Sequence, residues 1–313
     1  MSQACPLCGS KSIIVIGRLS RSDLRTLWVQ NLGIDPAAWI ATPTIDYHRC
    51  GVCDLRYFDD ALAGPEEMYR RLERLPWYYL EHKPEFDIAV RHLDGAKRIL
   101  EIGAGAGAFG RMVSGRDAYV GLELNSSAVE QAVHSGLDVR RQSLGEHLAS
   151  NPDLYDAVVT FQVMEHVPAV GRFLQECLQC LRPEGMLIVS VPSHDGFIGR
   201  ELNSILDLPP HHITQWSDRC MAAVASEFDL KLVSLNHDEV APYHRANYLH
   251  QKFLDALGLR RTDERPVRAS RGFHATDRLV SKAAGAWGRV RQPALPAGLG
   301  HSVTACYERV GVS

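Results

Sequence analysis

The stretch "ILEIGAGAGAFG", residues 99–110, decides the fold class of this 313-residue chain. An apolar run leads into a turn with glycine at every second position, and glycine permits both sharp turns and a close approach of the backbone to a ligand. The letters fit the G-x-G-x-x-A fingerprint of dinucleotide sites, from Gly103 to Ala108. They also fit E-x-G-x-G-x-G, because Glu101 stands two residues before the first glycine. The turn therefore predicts a cofactor loop and leaves two cofactor classes open.

Strand-like and helix-like segments alternate from residue 98 towards the end of the chain. The strand-like segments are RILEI, AYVGLEL, LDVRRQ, YDAVVTF, GMLIVSVPS, LKLVSLN and SVTACYERV. Helical patterns separate most of them, and such alternation is typical of an α/β fold with a mostly parallel sheet between two layers of helices. In this architecture ligands bind at the carboxyl ends of the strands. The glycine turn lies at such an end, after the first of these strands.

Two acidic residues bear on the identity of the cofactor. Glu101 places a negative charge at the edge of the turn, which disfavours a pyrophosphate and suits a cationic ligand. Glu123 follows Gly103 by twenty residues and ends the second strand, where a carboxylate accepts hydrogen bonds from ribose hydroxyls. Because NAD and S-adenosylmethionine both carry that ribose, Glu123 predicts a nucleoside cofactor without choosing between them.

The fourth strand supplies the motif that separates the two cofactors. It ends in "TFQVMEHVP", and together with "LEIGAGAGAFG", "GLELN" and "LRPEGMLIVSVPS" it resembles the class I S-adenosylmethionine-dependent methyltransferases. This ordered set spans residues 98–192. The resemblance implies an α/β, Rossmann-like sheet of seven strands in which the last strand runs antiparallel beside the sixth. It also implies S-adenosylmethionine as the methyl donor.

The same resemblance implies a cofactor site, position by position. The glycine turn would lie beside the methionine part of the cofactor, and the end of the second strand beside its ribose and adenine. The loop after the third strand would border the adenine, and the residues after the fourth strand would approach the methionine amino group. The implied cofactor-binding residues are Glu101, Gly103, Gly105, Gly107, Glu123, Leu124, Ser143, Leu144, Phe161 and Gln162.

Two cysteine pairs near the start of the chain predict a structural zinc site. Cys5-x-x-Cys8 and Cys50-x-x-Cys53 are separated by 41 residues, and each pair directs two thiolates at one tetrahedral ion. Four protein ligands leave no open position, so we expect Zn²⁺ to stabilise the fold rather than take part in catalysis. Unligated thiols or two disulfides are the alternatives, and disulfides are rare in a reducing cytosol. The spacing exceeds that of an ordinary zinc ribbon, which predicts an insertion at residues 20–43.

The other four cysteines follow a core pattern. Cys177 and Cys180 lie in "GRFLQECLQCL", where apolar residues recur at helical spacing. We predict that both pack as small apolar side chains on a helix rather than bind a metal. Cys220 and Cys306 are also expected to be core residues, so the eight cysteines divide into four ligands and four packing residues.

The sequence divides into three parts: a zinc-ribbon-like module at residues 1–60, a helical connector at 61–95, and a methyltransferase domain at 96–313 with a helical insertion at about 240–300. A two-knuckle module ahead of "ILEIGAGAG" resembles the zinc-containing methyltransferases of bacterial sugar and surface-glycan pathways. The resemblance implies polysaccharide biosynthesis and, as acceptor, a hydroxyl of a sugar, a nucleotide-linked sugar or a glycan precursor. Some of those enzymes methylate carbon, but they carry a further C-terminal domain for which this chain is too short. Sugar C-methylation is therefore the alternative.

A histidine base is expected after the fifth strand, where the acceptor must enter. The loop there carries His211 and His212, and a histidine can remove a hydroxyl proton near neutral pH. We favour His212 over His211 and expect the two side chains to point apart, as neighbours on an extended loop do. His166 is the third candidate, in a pair with Glu165 that resembles ubiquinone-type methyltransferases. The alternatives are hydrogen bonds that only hold the loop, and a metal bound by Asp207 and the two loop histidines; metal-independent transfer is favoured.

Charge and hydropathy narrow the range of partners. The net charge of −3 provides no general attraction to nucleic acid or to an anionic membrane. No run of 18 apolar residues predicts a membrane span. The N-terminal stretch MSQACPLCGS lacks the basic and apolar regions of a signal peptide, so a cytoplasmic protein is expected.

One basic segment stands out in this acidic chain. Residues 260–291 contain nine arginines and lysines against three acidic residues. This charge suits a phosphate-bearing acceptor, and a solvated surface is the alternative. Together with the zinc module, it also allows an RNA methyltransferase as the alternative function. Aromatic residues for base stacking are sparse, so nucleic acid is not the expected partner.

Overall fold

The structure, a computed structural model, describes residues 4–75, 80–115, 118–150, 154–259, 262, 266–268, 271–291 and 295–311. Within these residues the chain forms a seven-stranded sheet, a four-stranded sheet and the helices that cover them. The larger sheet contains the strands that surround the glycine turn. The smaller sheet takes most of its strands from the N-terminal residues.

Strands and helices alternate from the fourth strand onward. The strands are β1 (Ile13–Ser20), β2 (Thr44–Cys50), β3 (Arg56–Tyr57), β4 (Arg98–Ile102), β5 (Ala118–Leu122), β6 (Val139–Arg140), β7 (Tyr155–Phe161), β8 (Leu181–Pro192), β9 (Thr214–Gln215), β10 (Leu230–His237) and β11 (Ser302–Arg309). The helices are α1 (Arg21–Leu32), α2 (Glu66–Leu72), α3 (Pro84–Arg91), α4 (Ala108–Val113), α5 (Ser126–His134), α6 (Leu144–Ser150), α7 (Val170–Cys180), α8 (Asp218–Glu227), α9 (Arg245–Ala256) and α10 (Arg271–Arg291).

The larger sheet has the topology that the motifs predict. Its strand order is β10–β11–β8–β7–β4–β5–β6. Neighbouring strands from β8 through to β6 pair in parallel, whereas β11 pairs antiparallel with both β8 and β10. The α/β, Rossmann-like fold with an antiparallel last strand beside the sixth is therefore confirmed. Because the parallel strands point the same way, the loops after β4, β5, β6, β7 and β8 meet at one edge of the sheet.

Helices cover both faces of this sheet because its central strands are apolar on both sides. Val158 and Val159 are neighbours on β7, so their side chains point to opposite faces, and both are fully buried. Val158 shares a core with Leu174 of α7, and Val159 shares another with Phe86 of α3. Burying such a side chain stabilises the fold by about 1.5–3 kcal/mol. The sheet is thus a rigid platform for the loops at its edge.

The four cysteines assigned to packing are buried, as predicted. Cys177 and Cys180 lie on α7 with the residues that face the sheet, and Cys177 has no solvent exposure. Burial raises the pKa of both thiols, so they stay protonated. Cys220 on α8 and Cys306 on β11 are also fully buried.

The smaller sheet joins the N-terminal module to the rest of the chain. Its order is β1–β2–β3–β9, so its last strand comes from the loop after β8. The expected insertion at residues 20–43 contains α1, which buries Leu24 and Trp28 completely. These side chains share a core with Leu208 and Ile213 of the same loop. The module of residues 1–60 therefore packs as one unit with the segment that carries the expected base.

The segment between β10 and β11 contains two helices, in the region of the predicted insertion. α9 and α10 pack against each other through Leu254, Phe273 and Val280. Among the described residues, no helix is both long enough and apolar enough to cross a membrane.

Candidate active site

A cavity of about 1580 Å³ opens at the carboxyl edge of the larger sheet. Sites for a single small molecule usually enclose about 300–1,000 Å³, so this cavity has room for a cofactor and an acceptor together. It runs from the glycine turn to the loop after β8. Its lining includes Glu101, Gly103, Gly105, Glu123, Leu124, Ser143, Leu144, Phe161, Gln162, Glu165, His166, His211 and His212. All of the predicted cofactor-binding residues except Gly107 lie on this lining, as do all three candidate bases.

The glycine turn requires glycine at three positions. Gly103, Gly105 and Gly107 have φ angles of 78°, 51° and 79°, which place them in the left-handed region. A Cβ on Gly103 would lie 2.3 Å from the Cγ2 atom of Val163, and one on Gly107 would lie 2.4 Å from the Cδ1 atom of Leu137. Gly107 thus acts by packing and by starting α4, not by lining the cavity. The turn is shaped before any ligand binds.

Glu101 is a buried carboxyl group at the end of β4. Only 3% of it is exposed, and the Tyr119 hydroxyl donates a hydrogen bond to its carboxylate. Burial raises the pKa of Glu101 to about 8, so the group holds a proton at neutral pH in the free protein. A cationic ligand in the cavity would favour the ionised form. The arrangement suits a positively charged amino or sulfonium group and not a phosphate.

Glu123 holds the two neighbouring loops together. One carboxylate oxygen accepts a hydrogen bond from Gly105 N–H at 2.9 Å, and the other accepts from Leu124 N–H at 2.7 Å and Asn125 N–H at 2.8 Å. A carboxylate offers about four acceptor positions, so about one is left for a ligand hydroxyl. Leu124 is 61% exposed and offers an apolar surface at the same place.

Ser143 and Leu144 form the wall of the cavity where α6 begins. The Ser143 amide and hydroxyl both donate to Glu146 Oε2 at 2.7 Å, and Glu146 N–H donates to Ser143 Oγ at 3.3 Å. This is a capping box, which satisfies N–H groups at the helix start. The Ser143 hydroxyl proton is engaged there, so Ser143 and Leu144 contribute shape rather than a hydroxyl donor.

Phe161 and Gln162 connect the end of β7 to two other elements. The Phe161 ring packs on Phe86 of α3, with centroids 5.0 Å apart. Gln162 has a φ of 58°, and its side-chain amide donates to Ser302 Oγ at 3.0 Å and to Glu85 Oε1 at 3.3 Å. Glu85 and Ser302 line the cavity but lack a sequence motif, so sequence reasoning missed them. Other lining residues that it missed are Tyr69, Lys83, Asp238, Tyr243, His244 and His301.

Three histidine rings meet at the far end of the cavity. We call His166, His211 and His212 the histidine cluster; their ring centroids are 4.5–4.8 Å apart. The rings of His211 and His212 stack at 21°, so the expectation that they point apart is wrong. The chain turns tightly here instead of extending, because both N–H groups donate to Leu208 O. Burial lowers the pKa of His166 to about 4 and lowers the pKa values of the other two well below their usual range.

The ring of each histidine in the cluster is oriented by an oxygen atom that its Nδ1 atom contacts. His166 Nδ1 lies 2.7 Å from His211 O, and His211 Nδ1 lies 2.8 Å from Leu206 O. A carbonyl oxygen only accepts, so both Nδ1 atoms carry the proton. His212 Nδ1 lies 3.4 Å from a carboxylate oxygen of Asp207. The tautomer that these contacts favour leaves Nε2 as the nitrogen with a lone pair.

Glu165 is a buried carboxyl group next to the histidine cluster. Its Oε1 atom lies 3.8 Å from His166 Nε2 and 3.9 Å from His212 Nε2. Only 1% of the residue is exposed, and neither oxygen has a hydrogen-bond partner among the described residues. Burial raises its pKa to about 8. An unsatisfied buried carboxyl group is costly, so Glu165 requires a functional explanation.

The four N-terminal cysteines form a compact group. Their sulfur atoms all lie within 4.8 Å of one another, with Cys5 Sγ 3.5 Å from Cys53 Sγ and Cys8 Sγ 3.7 Å from Cys50 Sγ. A tetrahedral zinc with Zn–S bonds of about 2.3 Å separates its sulfurs by about 3.8 Å, so the group fits zinc. All four are free cysteines in the structure.

The N-terminal module reaches the histidine cluster through two short connections. Phe58 N–H donates to Ile213 O at 2.8 Å, and Ile213 N–H donates to Glu165 O at 2.9 Å. In the second connection, the Tyr47 hydroxyl donates to Gln215 Oε1 at 2.5 Å, and the Gln215 amide donates to Asp207 Oδ2 at 2.8 Å. Asp207 is the residue that orients His212. The module therefore supports the end of the cavity that the histidine cluster lines.

The basic segment of residues 260–291 does not contribute to this cavity in the described part of the chain. Its described cationic side chains are Arg268, Arg278, Lys282 and Arg289, and none of them lines the cavity. The remaining arginines of the segment lie outside the residues whose side chains the structure describes. Tyr243 and His244, just before α9, do line the cavity, so the start of the predicted insertion reaches the site.

Known families give the same assignment as the motifs and the topology. Residues 67–235, more than half of the chain, match a family model described as a methyltransferase domain. The chain belongs to this methyltransferase family. The methyltransferase assignment expected from the motifs is confirmed at the level of the family.

The curated relatives share modest identity with this methyltransferase. The ubiquinone biosynthesis O-methyltransferase of Aeromonas salmonicida is 32% identical over 103 residues, which are 30% of this chain and 42% of the relative. That of Burkholderia orbicola is 31% identical over 125 residues, 38% of this chain and 51% of the relative. The chain thus spans about half the length of these two relatives. The ubiquinone biosynthesis O-methyltransferase of Pectobacterium carotovorum is 24% identical over 230 residues, which are 70% of this chain and 83% of the relative.

A solved structure gives a weaker likeness. The structure described as an S-adenosylmethionine-dependent methyltransferase from Archaeoglobus fulgidus is 16% identical and covers 71% of this chain and 94% of its own, with a TM-score of 0.45. A likeness of this size carries no argument about function. The site residues must therefore be argued from their own geometry.

Proposed function

We propose that this methyltransferase moves a methyl group from S-adenosylmethionine to a hydroxyl group of a small molecule. The observation that carries the proposal is the single cavity that joins the glycine turn and Glu123 at one end to the histidine cluster at the other. A buried Glu101 at the cofactor end suits a cationic ligand. The curated relatives that match the chain are described as O-methyltransferases, which supports oxygen as the methylated atom.

The acceptor that we propose is a sugar, a nucleotide-linked sugar or a surface-glycan precursor, in polysaccharide biosynthesis. The support is the N-terminal cysteine module and the resemblance that it implies. The relatives' printed role in ubiquinone biosynthesis makes a ubiquinone precursor the competing acceptor. RNA gains no support, because no described cation of the basic segment lines the cavity. Carbon methylation of a sugar stays the alternative reaction.

The proposed reaction is an in-line displacement at the sulfonium methyl group. The acceptor oxygen forms a bond to the methyl carbon as the carbon–sulfur bond breaks, and the electron pair of that bond stays on sulfur. The cavity would contribute mainly by holding the two reactants in line. The hydroxyl proton must leave, and the proposed acceptor for it is the histidine cluster, with His212 ahead of His211 and His166. Its neutral imidazoles have the lone pairs that this step needs.

Zinc is the proposed occupant of the four-cysteine site. The sulfur positions fit one tetrahedral ion, and Cys5, Cys8, Cys50 and Cys53 together close its coordination. The ion would hold the two cysteine pairs together and keep β2 and β3 in place. Such a site suits the cytoplasm, the proposed location, where thiols stay reduced.

The proposal is tested with purified protein, S-adenosylmethionine and a panel of acceptors. The panel contains nucleotide-linked sugars, free sugars and ubiquinone precursors with a free hydroxyl. We expect one class to gain 14 mass units at an oxygen, measured by mass spectrometry and located by fragmentation. A product methylated on carbon would contradict the hydroxyl assignment, and transfer only to RNA would contradict the small-molecule acceptor.

A further inference from the structure

Glu165 and the histidine cluster form a group with the composition of a transition-metal site. One ligand nitrogen from each of the three histidines lies within 4.8 Å of those of the other two. They come from two parts of the chain: His166 from the turn after β7, and His211 and His212 from the loop before β9. Imidazoles with one carboxylate suit zinc, iron, cobalt and nickel, whereas magnesium and calcium take oxygen ligands.

The tautomers of the cluster match those of metal-binding histidines. Histidines that bind a metal donate their other N–H group to a carbonyl or a carboxylate, which fixes the ring. Here the Nδ1 groups of His166 and His211 donate to backbone carbonyls, and Nδ1 of His212 faces Asp207. An imidazole with its proton on Nδ1 has a lone pair on Nε2, and this is the form that binds a cation. The cluster is therefore arranged for ligation through Nε2.

Glu165 gives an independent reason to place a cation here. Both of its oxygens are buried without a hydrogen-bond partner among the described residues. Its Oε1 atom lies 3.8 Å from His166 Nε2 and 3.9 Å from His212 Nε2. Ligands about 2.0–2.1 Å from a tetrahedral ion lie about 3.4 Å apart, so a small inward movement would let Glu165 share one ion with His166 and His212. A cation would satisfy this carboxylate.

We propose that the histidine cluster and Glu165 bind one divalent transition-metal cation at the acceptor end of the cavity. All four residues line the cavity, so an acceptor can approach the cation. The role of the cation rests on the proposed methyl transfer. With the cation bound, the Nε2 lone pairs of the histidines would be ligands, so the cation would replace the histidine base in promoting loss of the hydroxyl proton. A hydroxyl next to the dication would lose its proton to water more readily, and the oxygen would then attack the sulfonium methyl group as the carbon–sulfur bond breaks. The products are the methyl ether, S-adenosylhomocysteine and one proton.

The test uses the full chain with zinc in the four-cysteine site. Co²⁺ is titrated into this protein, and metal content and visible absorption are measured. We expect one additional Co²⁺ per chain, with d–d bands and without a thiolate charge-transfer band. A protein that takes up no second cation overturns the proposal, and so does a thiolate band, which would show exchange into the cysteine site.

Variants of the cluster connect the binding to these residues. Replacing a ligand in His211→Gln or Glu165→Gln should weaken Co²⁺ binding by at least about 100-fold. Asp207→Asn, which leaves the four proposed ligands in place but changes the carboxylate that faces His212 Nδ1 and Gln215, should weaken it by about 10-fold. His244→Gln, in the same cavity outside the cluster, is the matched control and should bind like the parent. Parent-like binding by the ligand variants would show an adventitious ion and overturn the proposal.

Calorimetry on the same preparations separates this inference from the proposed function. S-adenosylmethionine binding by each variant shows that its fold and cofactor end are intact. If the parent binds S-adenosylmethionine but takes up no second cation, the metal proposal alone is overturned. A proton shared between Glu165 and the histidines would then account for the buried carboxyl group. Absence of cofactor binding by the parent overturns the proposed function, whatever the result with Co²⁺.

Discussion

The two ends of the cavity, the proposed cofactor end at the glycine turn and the proposed acceptor end at the histidine cluster, differ in how the chain builds them. At the proposed cofactor end, Glu101, the glycine turn and Glu123 fall within 23 consecutive residues, and Gly105 N–H donates a hydrogen bond to the Glu123 carboxylate. At the acceptor end, His166 and His212 come from segments 46 residues apart, and a third segment, in the N-terminal module, supports them. One end is therefore built by a local sequence motif, and the other by packing between segments that are distant in the sequence.

The largest effect is expected from breaking the support of the acceptor end. Cys50→Ser should release zinc and lower the free energy of unfolding by more than about 4 kcal/mol, because loss of a structural metal belongs to the largest class of effects. Metal analysis and denaturant unfolding measure both quantities. Cys177→Ala, a buried cysteine outside the module, is the control and should keep its zinc. A parent protein that is stable without zinc would contradict the claim that zinc in the four-cysteine site stabilises the fold.

The next effect concerns the chemistry at the acceptor end. His212→Ala should slow methyl transfer by about 10²–10⁴-fold while the affinity for S-adenosylmethionine stays unchanged, because the residue acts on the acceptor and not on the cofactor. Since the two rings stack, we expect His211→Ala to slow transfer as well. Single-turnover methylation with separate cofactor titration measures this, and His134→Ala on the exposed end of α5 is the control. Parent rates in both variants would place the proton transfer elsewhere.

A smaller effect is expected from distorting the cofactor end. Gly103→Ala places a Cβ 2.3 Å from Val163 at a φ of 78°, and should lower the free energy of unfolding by about 2–4 kcal/mol. The affinity for S-adenosylmethionine should fall with it. Gly145→Ala is the matched control, because Gly145 lines the same cavity and its Cβ would meet no atom within 4 Å. Equal stabilities for the two variants would contradict the close contact at Gly103.

Glu123 tests the polar contact at the same end. Glu123→Ala should weaken S-adenosylmethionine binding by about 1–3 kcal/mol through lost charge-assisted hydrogen bonds, including those that order the turn. The rate of methyl transfer at saturating cofactor should change little, because the acceptor end is untouched. Calorimetry and saturation kinetics check the two halves of this expectation. A variant with parent affinity would show that the ribose is held by other groups.

The smallest effect concerns the proton on Glu101. Its pKa of about 8 in the free protein lies above the ordinary 4.5, so the group is protonated below pH 8, and a bound cationic cofactor favours the ionised form. Binding should then release a proton, and the affinity should rise by up to about tenfold per pH unit between pH 6 and 7.5. Calorimetry in buffers of different ionisation enthalpy measures the release. Glu101→Gln should bind S-adenosylmethionine without releasing a proton. If this variant releases as many protons as the parent, the proton comes from another group.

The elements around the glycine turn could be predicted from sequence patterns because their determinants are local. The glycine turn, Glu123 and the strand that precedes each are visible in short stretches, and the structure places them on one cavity. The topology of the larger sheet followed from the order of four motifs. Gly107 does not line the cavity, and the position of Leu137, which leaves no room for a Cβ on Gly107, depends on how the chain packs after α5.

The acceptor end could be predicted only in its residue types. The sequence indicated histidines after the fifth strand, but not that His211 and His212 stack on His166. Their meeting depends on β9, a strand of two residues that is too short to show a period, and on its pairing with β3 about 160 residues earlier. Sequence patterns also gave no indication of Glu85 and Asp238, because each enters the cavity from an element that carries no recognisable motif.

The central claim is that one cavity holds S-adenosylmethionine at an end that is independent of the histidine cluster. The most direct measurement is calorimetric titration of S-adenosylmethionine, and separately of NAD, into the zinc-loaded parent, Glu123→Ala and His212→Ala. The account predicts one S-adenosylmethionine per parent chain, weaker binding by Glu123→Ala, parent-like binding by His212→Ala and no tight binding of NAD. Tight binding of NAD without S-adenosylmethionine, or equal loss of affinity in both variants, would contradict it.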